Sequence, residues 1–254
     1  MKNWTISALK TNAKAGMKNN YWKAVLVGLL VSIIQIGMLG ITGFTSIRET
    51  TLRIDPRETQ GLRETISGTS QNVIVALTIL AVTALITAVI IACVLHVLLL
   101  NPLEIGCKRF FHRNLIEHAD LKEICYTYDR GYKNGVDVLF YRDIYTILWL
   151  MLLVIPGIIK SYEYSMIPYL LSDHPNMTRS EAFARSKAMM KGNKMRAFLL
   201  DLSFLLWDVL GILTLGILNI FYITPYRELT KAGLYQALKE NPMPVSDQQK
   251  KEFL

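Results

Sequence analysis

Asp201 and Asp208 are the side chains of this sequence whose placement most needs a chemical reason. Seven positions apart, they share one face of a helix, inside the otherwise apolar run 197–226. At the centre of a membrane span an aspartate costs about 2.5–3.5 kcal/mol on insertion scales. An ion or proton site facing a bundle interior would offset that cost. So would a hydrogen bond within the bundle, with His96, Lys160 or a tyrosine as partner, and Asp201 also fits the interface, five residues past Arg196. Lys160 and Glu163 lie one helical turn apart and read as a local ion pair. His96, deep in the run 73–100, is either a proton shuttle or a neutral, hydrogen-bonded packing histidine. Pro156, Gly157, Pro168 and Pro225 are candidate hinges, or residues that end or kink helices.

Beyond these the chemical inventory is thin. Cys93, Cys107 and Cys125 form no paired framework, and Cys93 sits in an apolar run. His96, His112, His118 and His174 have no metal-ligand spacing, and no HExxH, CxxC, Walker loop, GxSxG elbow or phosphate-binding glycine run occurs. The expectation is a non-enzymatic protein with no catalytic residues, no cofactor and no metal. Two sequons, at Asn3 and Asn176, fall in segments expected to be cytoplasmic.

The elements that hold these residues follow from composition. Of the 254 residues 52% are hydrophobic and 19% charged, against roughly 25% charged in an average soluble domain. The apolar excess sits in runs such as 24–44 and 73–100, each reaching the ~20 residues that span a bilayer. No stretch between runs exceeds about 40 residues, too little for a separate soluble domain. The formal charge of +8 is gathered in clusters beside the runs, which fits cytoplasmic loops and anionic lipid and argues against nucleic acid.

Charge then sets the topology. Residues 1–23 carry five lysines and no acid and stay inside. The loop 45–72 balances Arg48, Arg53, Arg57 and Arg63 against Glu49, Asp55, Glu58 and Glu64 and lies outside. Segments 101–135, 173–196 and 227–254 are basic and return inside. Keeping them there requires 136–172 to turn at Pro156-Gly157 and 197–226 to turn at Thr214-Leu215-Gly216, with Lys160 at the outer face. The predicted fold is all-α: a single polytopic transmembrane bundle of six helices in three hairpins (24–100, 136–172, 197–226), with interfacial amphipathic helices and both termini cytoplasmic. The alternative keeps four spanning helices and adds re-entrant segments, because 157–172 supplies only 16 residues, about 24 Å of helix against a ~30 Å core.

An internal repeat supports the hairpins. Lys18, Lys133 and Lys191 precede Pro102, Pro168 and Pro225 by 84, 35 and 34 residues. Ahead of each hairpin lies a segment able to form an amphipathic helix. In the first, Ile6, Leu9, Ala13 and Met17 share an apolar face. In the third, Thr178 and Glu181 form a capping box and Gly192 a C-terminal cap.

The motifs Asn20-Tyr21-Trp22-Lys23-Ala24, Asn101-Pro102-Leu103-Glu104-Ile105-Gly106, Ile155-Pro156-Gly157-Ile158-Ile159-Lys160-Ser161-Tyr162 and Met166-Ile167-Pro168-Tyr169, then the basic run 186–194 and Thr224-Pro225-Tyr226, occur in this order over nearly the whole chain. They resemble the bacterial membrane family called domain of unknown function 975. The resemblance implies a bacterial plasma-membrane protein and brings no reaction, substrate or site residue. Two functional expectations stand beside it. One is a protein acting through membrane lipids, anionic inner-leaflet lipids among them, or through protein contact in the cell envelope. The other is a transporter or permease subunit, partnered by another membrane protein or an ATPase, with an intramembrane acidic site.

Overall fold

The computed structural model describes residues 4–35 and 71–240, and every element among them is helical, with no strand. The class is all-α. The expected outer loop 45–72, apart from its last two residues, and the tail beyond Glu240 lie outside the described residues. In chain order α1 is Ile6–Asn19, α2 Tyr21–Gln35, α3 Gln71–Leu95, α4 Asn101–Ile116, α5 Tyr132–Leu152, α6 Val154–Tyr164, α7 Ile167–Asp173, α8 Arg179–Met190, α9 Lys194–Leu202, α10 Leu205–Leu213 and α11 Thr224–Glu240. A 3-10 segment, Leu121–Cys125, follows α4, and π-helical turns at His96–Leu100 and Asn219–Ile223 precede α4 and α11.

Two compact units emerge: Ile34–His96 is one, and Met1–Ile33 with Val97–Leu254 is the other. Within the former, the 25 residues of α3 give about 37 Å of helix, more than a ~30 Å hydrocarbon core. Val75–Ile116 runs as one helix whose apolar window has mean hydropathy 2.8; among the described residues it is the one helix long and apolar enough to cross a membrane. α2 is apolar but shorter.

The core of the larger unit is built from the basic segments between the apolar runs. α4 packs on α11, α1 lies against both, and α7 and the 3-10 segment cover α4. Thr5 starts α1 by accepting the Ala8 N–H at 3.2 Å. Leu9, Ala13 and Met17, spaced by four, are then buried against α4 and α11. The apolar face of α1 is therefore occupied by protein. Phe110 and Phe111 of α4 are wholly buried, each contributing about 1.5–3 kcal/mol of hydrophobic stabilisation. α8 begins at Thr178, which accepts the Glu181 N–H, and ends ahead of Gly192 at φ +76°, a left-handed position that favours glycine.

The prolines explain the π-turns. A helical proline lacks an N–H and crowds the carbonyl four residues back. For Pro102 that carbonyl belongs to Leu98, and the Tyr132 hydroxyl donates to it at 3.0 Å, while the Tyr128 hydroxyl takes Leu99 O at 2.6 Å. For Pro225 it belongs to Phe221, and the Tyr21 hydroxyl donates to it at 3.0 Å. In both places a widened turn and a tyrosine from another helix, Tyr132 of α5 or Tyr21 of α2, satisfy a backbone group that water would otherwise have to reach.

The second hairpin turns at Leu153, which is extended (φ −157°, ψ 133°), three residues before the expected Pro156-Gly157. The Pro156 ring would crowd the carbonyl of Leu152, so the chain breaks there, and Pro156 falls in the first turn of α6, where no N–H is missed. Gly157 then lets α6 close on α5: a Cβ there would lie 2.7 Å from Leu150 Cα. α9 and α10 are separated by a break at Ser203 and Phe204. The third hairpin turns at 214–216 with Leu215 (φ +52°) and Gly216 (φ +84°) both left-handed. Gly211 sits directly against the Asn219 side chain, and Trp207 packs on Tyr222 at 5.5 Å between ring centres.

Candidate functional site

Glu163 is the charged residue around which the second and third hairpins meet. At the end of α6 it is 3% exposed, and its carboxylate accepts from Lys160 at 3.2 Å and from Lys194 at 2.6 Å, with Lys187 at 4.0 Å. Its backbone carbonyl accepts the Ser186 hydroxyl at 2.7 Å. One buried carboxylate thus gathers α6, α8 and α9. Lys160 and Lys194 share it, so they lie on the same side of any ~30 Å hydrocarbon layer. This corrects the expectation that places Lys160 at the outer face while Lys187 and Lys194 remain inside.

Asp201 and Asp208 lie on two helices, α9 and α10, separated by the break at Ser203 and Phe204, rather than on one. Both find bases on α11. Asp208 receives Arg227 at 2.6 and 2.5 Å, and Asp201 lies 3.2 Å from Lys231 while accepting the Tyr162 hydroxyl at 2.9 Å. Arg227 and Lys231, expected in a cytoplasmic tail, are one turn apart in a packed helix. Tyr162 also ties the Asp201 group to its neighbour Glu163. His96 joins neither group: it belongs to the other unit, and its Nε2 is buried with no hydrogen-bond partner among the described residues. Pro168 stands in the first turn of α7 and Pro225 in that of α11.

A second constellation escaped the sequence reading. Asn101, Glu104, Lys108 and His112 recur at three- and four-residue steps, a polar stripe on α4 that faces inward. Asn101 donates to Asp143 at 3.0 Å, Arg142 reaches Glu104 at 2.9 and 3.0 Å and Asp143 at 2.7 Å, and Lys108 meets Glu228 of α11 at 2.5 Å. His112 bonds Gln236 at 2.6 Å and lies 3.8 Å from Asp173, which accepts from Tyr235 and Lys239 at 2.7 Å each. Asn101 and Glu228 are 0% and 1% exposed. The spacing was legible as one helix face, but basic and acidic neighbours at 101–113 read equally well as a solvated surface. Only the burial distinguishes them.

The electrostatics around Asp173 and Glu123 follow from these contacts. Burial raises the Asp173 pKa, yet the hydrogen bonds from Lys239 and Tyr235 and the charges of His112 and Lys239 outweigh it and hold the carboxyl below its ordinary range. Glu123 behaves alike: burial raises it, and hydrogen bonds from Arg109 and Arg113, both at 2.6 Å, bring it down. A shallow cavity of about 370 Å³ lies beside Asp173, lined also by Pro175, Met177, Glu181 and Arg185. Among the described residues no group of three or more His, Cys, Asp or Glu is placed to hold a metal ion.

Compared with known families, residues 127–242 match the model described as "Protein of unknown function (DUF975)". Over that stretch, a little under half of the chain, the protein is similar to this family. The matched stretch contains the second and third hairpins, α11, and the carboxylates Glu163, Asp201, Asp208 and Glu228. The motifs at Asn20 and Asn101 lie ahead of it, so the match covers less of the chain than the motif resemblance does. No curated protein and no solved structure matches the chain.

Proposed function

We propose that this is a bacterial plasma-membrane protein, not an enzyme, that anchors through the apolar run 75–100 and its partner run from Tyr21. On this reading it works by contact with the near leaflet: both termini and the basic helical core stay on the cytoplasmic side. The tips of the second and third hairpins enter the membrane as re-entrant wedges and do not cross it.

The observation that carries this reading is the distance from charge to tip. From Lys160 to the turn at Leu153 is seven residues, about 10 Å of helix, and from Asp208 to Thr214 six, about 9 Å. A hydrocarbon core is ~30 Å thick. The tips themselves are apolar and bare: Met151 is 82% exposed, Ile155 73%, Ile212 73% and Leu215 93%. Contiguous apolar surface of this kind marks an interaction with membrane or protein. The two charged bases adjoin through the bond from Tyr162 to Asp201, so both tips start from one level. The transporter reading draws less support, since Asp201 and Asp208 are each already neutralised by a base.

Single cysteines at Met151, Lys160 and Leu213, in a chain lacking Cys93, Cys107 and Cys125, test this in intact cells and in inverted vesicles. The expected result is that a membrane-impermeant maleimide reaches position 160 only in inverted vesicles. Positions 151 and 213 should react only with a lipid-soluble maleimide. Labelling of 151 or 213 by the impermeant reagent from outside would establish crossing hairpins and end the wedge reading.

A further inference from the structure

Four cations converge where α10 leaves the core, and two of them have no carboxylate. Lys10 of α1 donates to the carbonyl of Ser203 at 3.2 Å and lies 4.5 Å from the centre of the buried Phe204 ring, which Arg227 approaches from 5.3 Å. Lys14, one turn along α1, lies 5.8 Å from the Tyr226 ring, which packs edge-on against Phe204. Asp208 and Asp201 engage Arg227 and Lys231. Among the described residues no acid lies within 4.0 Å of Lys10 or Lys14, so the group carries an excess of two positive charges. Burial and the neighbouring Lys14 push the Lys10 pKa below its usual value, as expected of an ammonium crowded by another without a counter-ion.

Position selects the anion. Ser203 and Phe204 are immediately followed by the apolar tip that begins at Leu205. Trp207, Tyr222 and Tyr226 touch in series beside it, the amphipathic aromatics that favour the headgroup level. If the tip lies in the leaflet, Lys10 and Lys14 lie at the depth of the lipid phosphates, and a free solute phosphate would have to compete with a leaflet full of them.

We propose that Lys10 and Lys14, with Arg227 and Lys231 behind them, form a headgroup site for one anionic phospholipid whose acyl chains lie along the exposed apolar side of α10. The inference rests on the wedge reading above, which places this end of α10 at the headgroup level. Lys10 reaches the Ser203 carbonyl just past α9 and anchors the site, and Lys14 is the solvent-facing half of the clamp.

Native mass spectrometry of the full chain in a neutral maltoside detergent, titrated with phosphatidylglycerol or phosphatidylcholine, provides the test. The expected result is one retained phosphatidylglycerol. Its affinity should fall about 30-fold in Lys10→Gln/Lys14→Gln, at roughly one surface-charge contribution per lysine. It should be unchanged in Lys18→Gln/Lys122→Gln and restored in Lys10→Arg/Lys14→Arg. Should the double glutamine variant fail to fold, Lys14→Gln alone is read, with about a fivefold loss expected. Equal loss in the Lys18/Lys122 control, equal retention of phosphatidylcholine, or equal competition by inorganic phosphate at millimolar concentration would each overturn the site. Absence of a phosphatidylglycerol preference while Leu213→Cys stays shielded from aqueous maleimide would sink the lipid site alone and leave the wedge standing.

Discussion

At the scale of single residues, the decisive fact is that one buried carboxylate serves several half-exposed lysines. Removing the shared acid leaves Lys160 and Lys194 facing each other without it, whereas removing one lysine leaves the carboxylate still paired. Losing one half-exposed lysine costs roughly 0–1 kcal/mol, whereas losing the acid removes both ion pairs at once and leaves two like charges adjacent. Glu163→Gln should therefore lower the thermal unfolding temperature in detergent severalfold more than Lys160→Gln. Equal effects would mean that Glu163 is not the hub. The i,i+3 pairing of Lys160 with Glu163 could be read from spacing alone. Lys194, 31 residues further on, could not, because nothing local links a lysine after one turn to an acid before another. Asp208 shows the same limit: the sequence offered it His96, Lys160 or a tyrosine, and the fold supplied Arg227 from a segment that composition assigned to a tail. The stripe Asn101, Glu104, Lys108 and His112 had a readable period, but charge at helical spacing says which residues share a face and not whether that face is wet.

At the scale of elements, close backbone approaches decide what α4 tolerates. A Cβ on Gly106 would lie 1.9 Å from the carbonyl oxygen of Ile124, and one on Gly211 would lie 2.0 Å from the Asn219 side-chain oxygen. Alanine is favoured over glycine within a helix by about 1 kcal/mol, so the sign depends on whether the obstacle can move. The Ile124 carbonyl belongs to the 3-10 segment packed along α4 and has nowhere to go; overpacking of this sort costs about 1–3 kcal/mol or more. The Asn219 amide can rotate. Gly106→Ala should thus destabilise the protein strongly and Gly211→Ala weakly, by thermal unfolding of the purified chains; the reverse order would remove the 3-10 segment from the core. Elements were more legible than contacts. Apolar runs, the Thr178 cap and the glycine after α8 follow from local chemistry. The turn of the second hairpin was displaced because a proline disrupts the turn before itself, so the break appears at Leu153 and not at the proline. The partner of the α1 apolar face was hidden too, since Leu9, Ala13 and Met17 suit a lipid surface and the flank of α11 equally well.

At the scale of the whole molecule, two carboxylates, Asp173 and Glu123, hold seams between packed elements. Asp173 joins the end of α7 to α11 through Tyr235 and Lys239, and Glu123 joins the 3-10 segment to α4 through Arg109 and Arg113. Both pKa values are held below their ordinary 3.8 and 4.5. A group depressed on folding contributes stability that is fully present above its unfolded pKa and is lost as pH falls through the folded one. Stability should therefore not change between pH 6 and 8 on account of these groups, begin to fall near pH 4.5, and keep falling below 3.8. Both partners of Glu123 are arginines, which stay charged throughout, so protonation of the acid is the only titration that opens that seam. Asp173→Asn/Glu123→Gln removes both titrations. At pH 7 the double variant should unfold at a lower temperature than the parent, and its unfolding temperature should depend less steeply on pH between 5 and 3. Thermal unfolding of the two proteins across that range, in one detergent at fixed ionic strength, measures the difference. A double variant with the parent's full acid slope would show that neither seam carries the acid sensitivity.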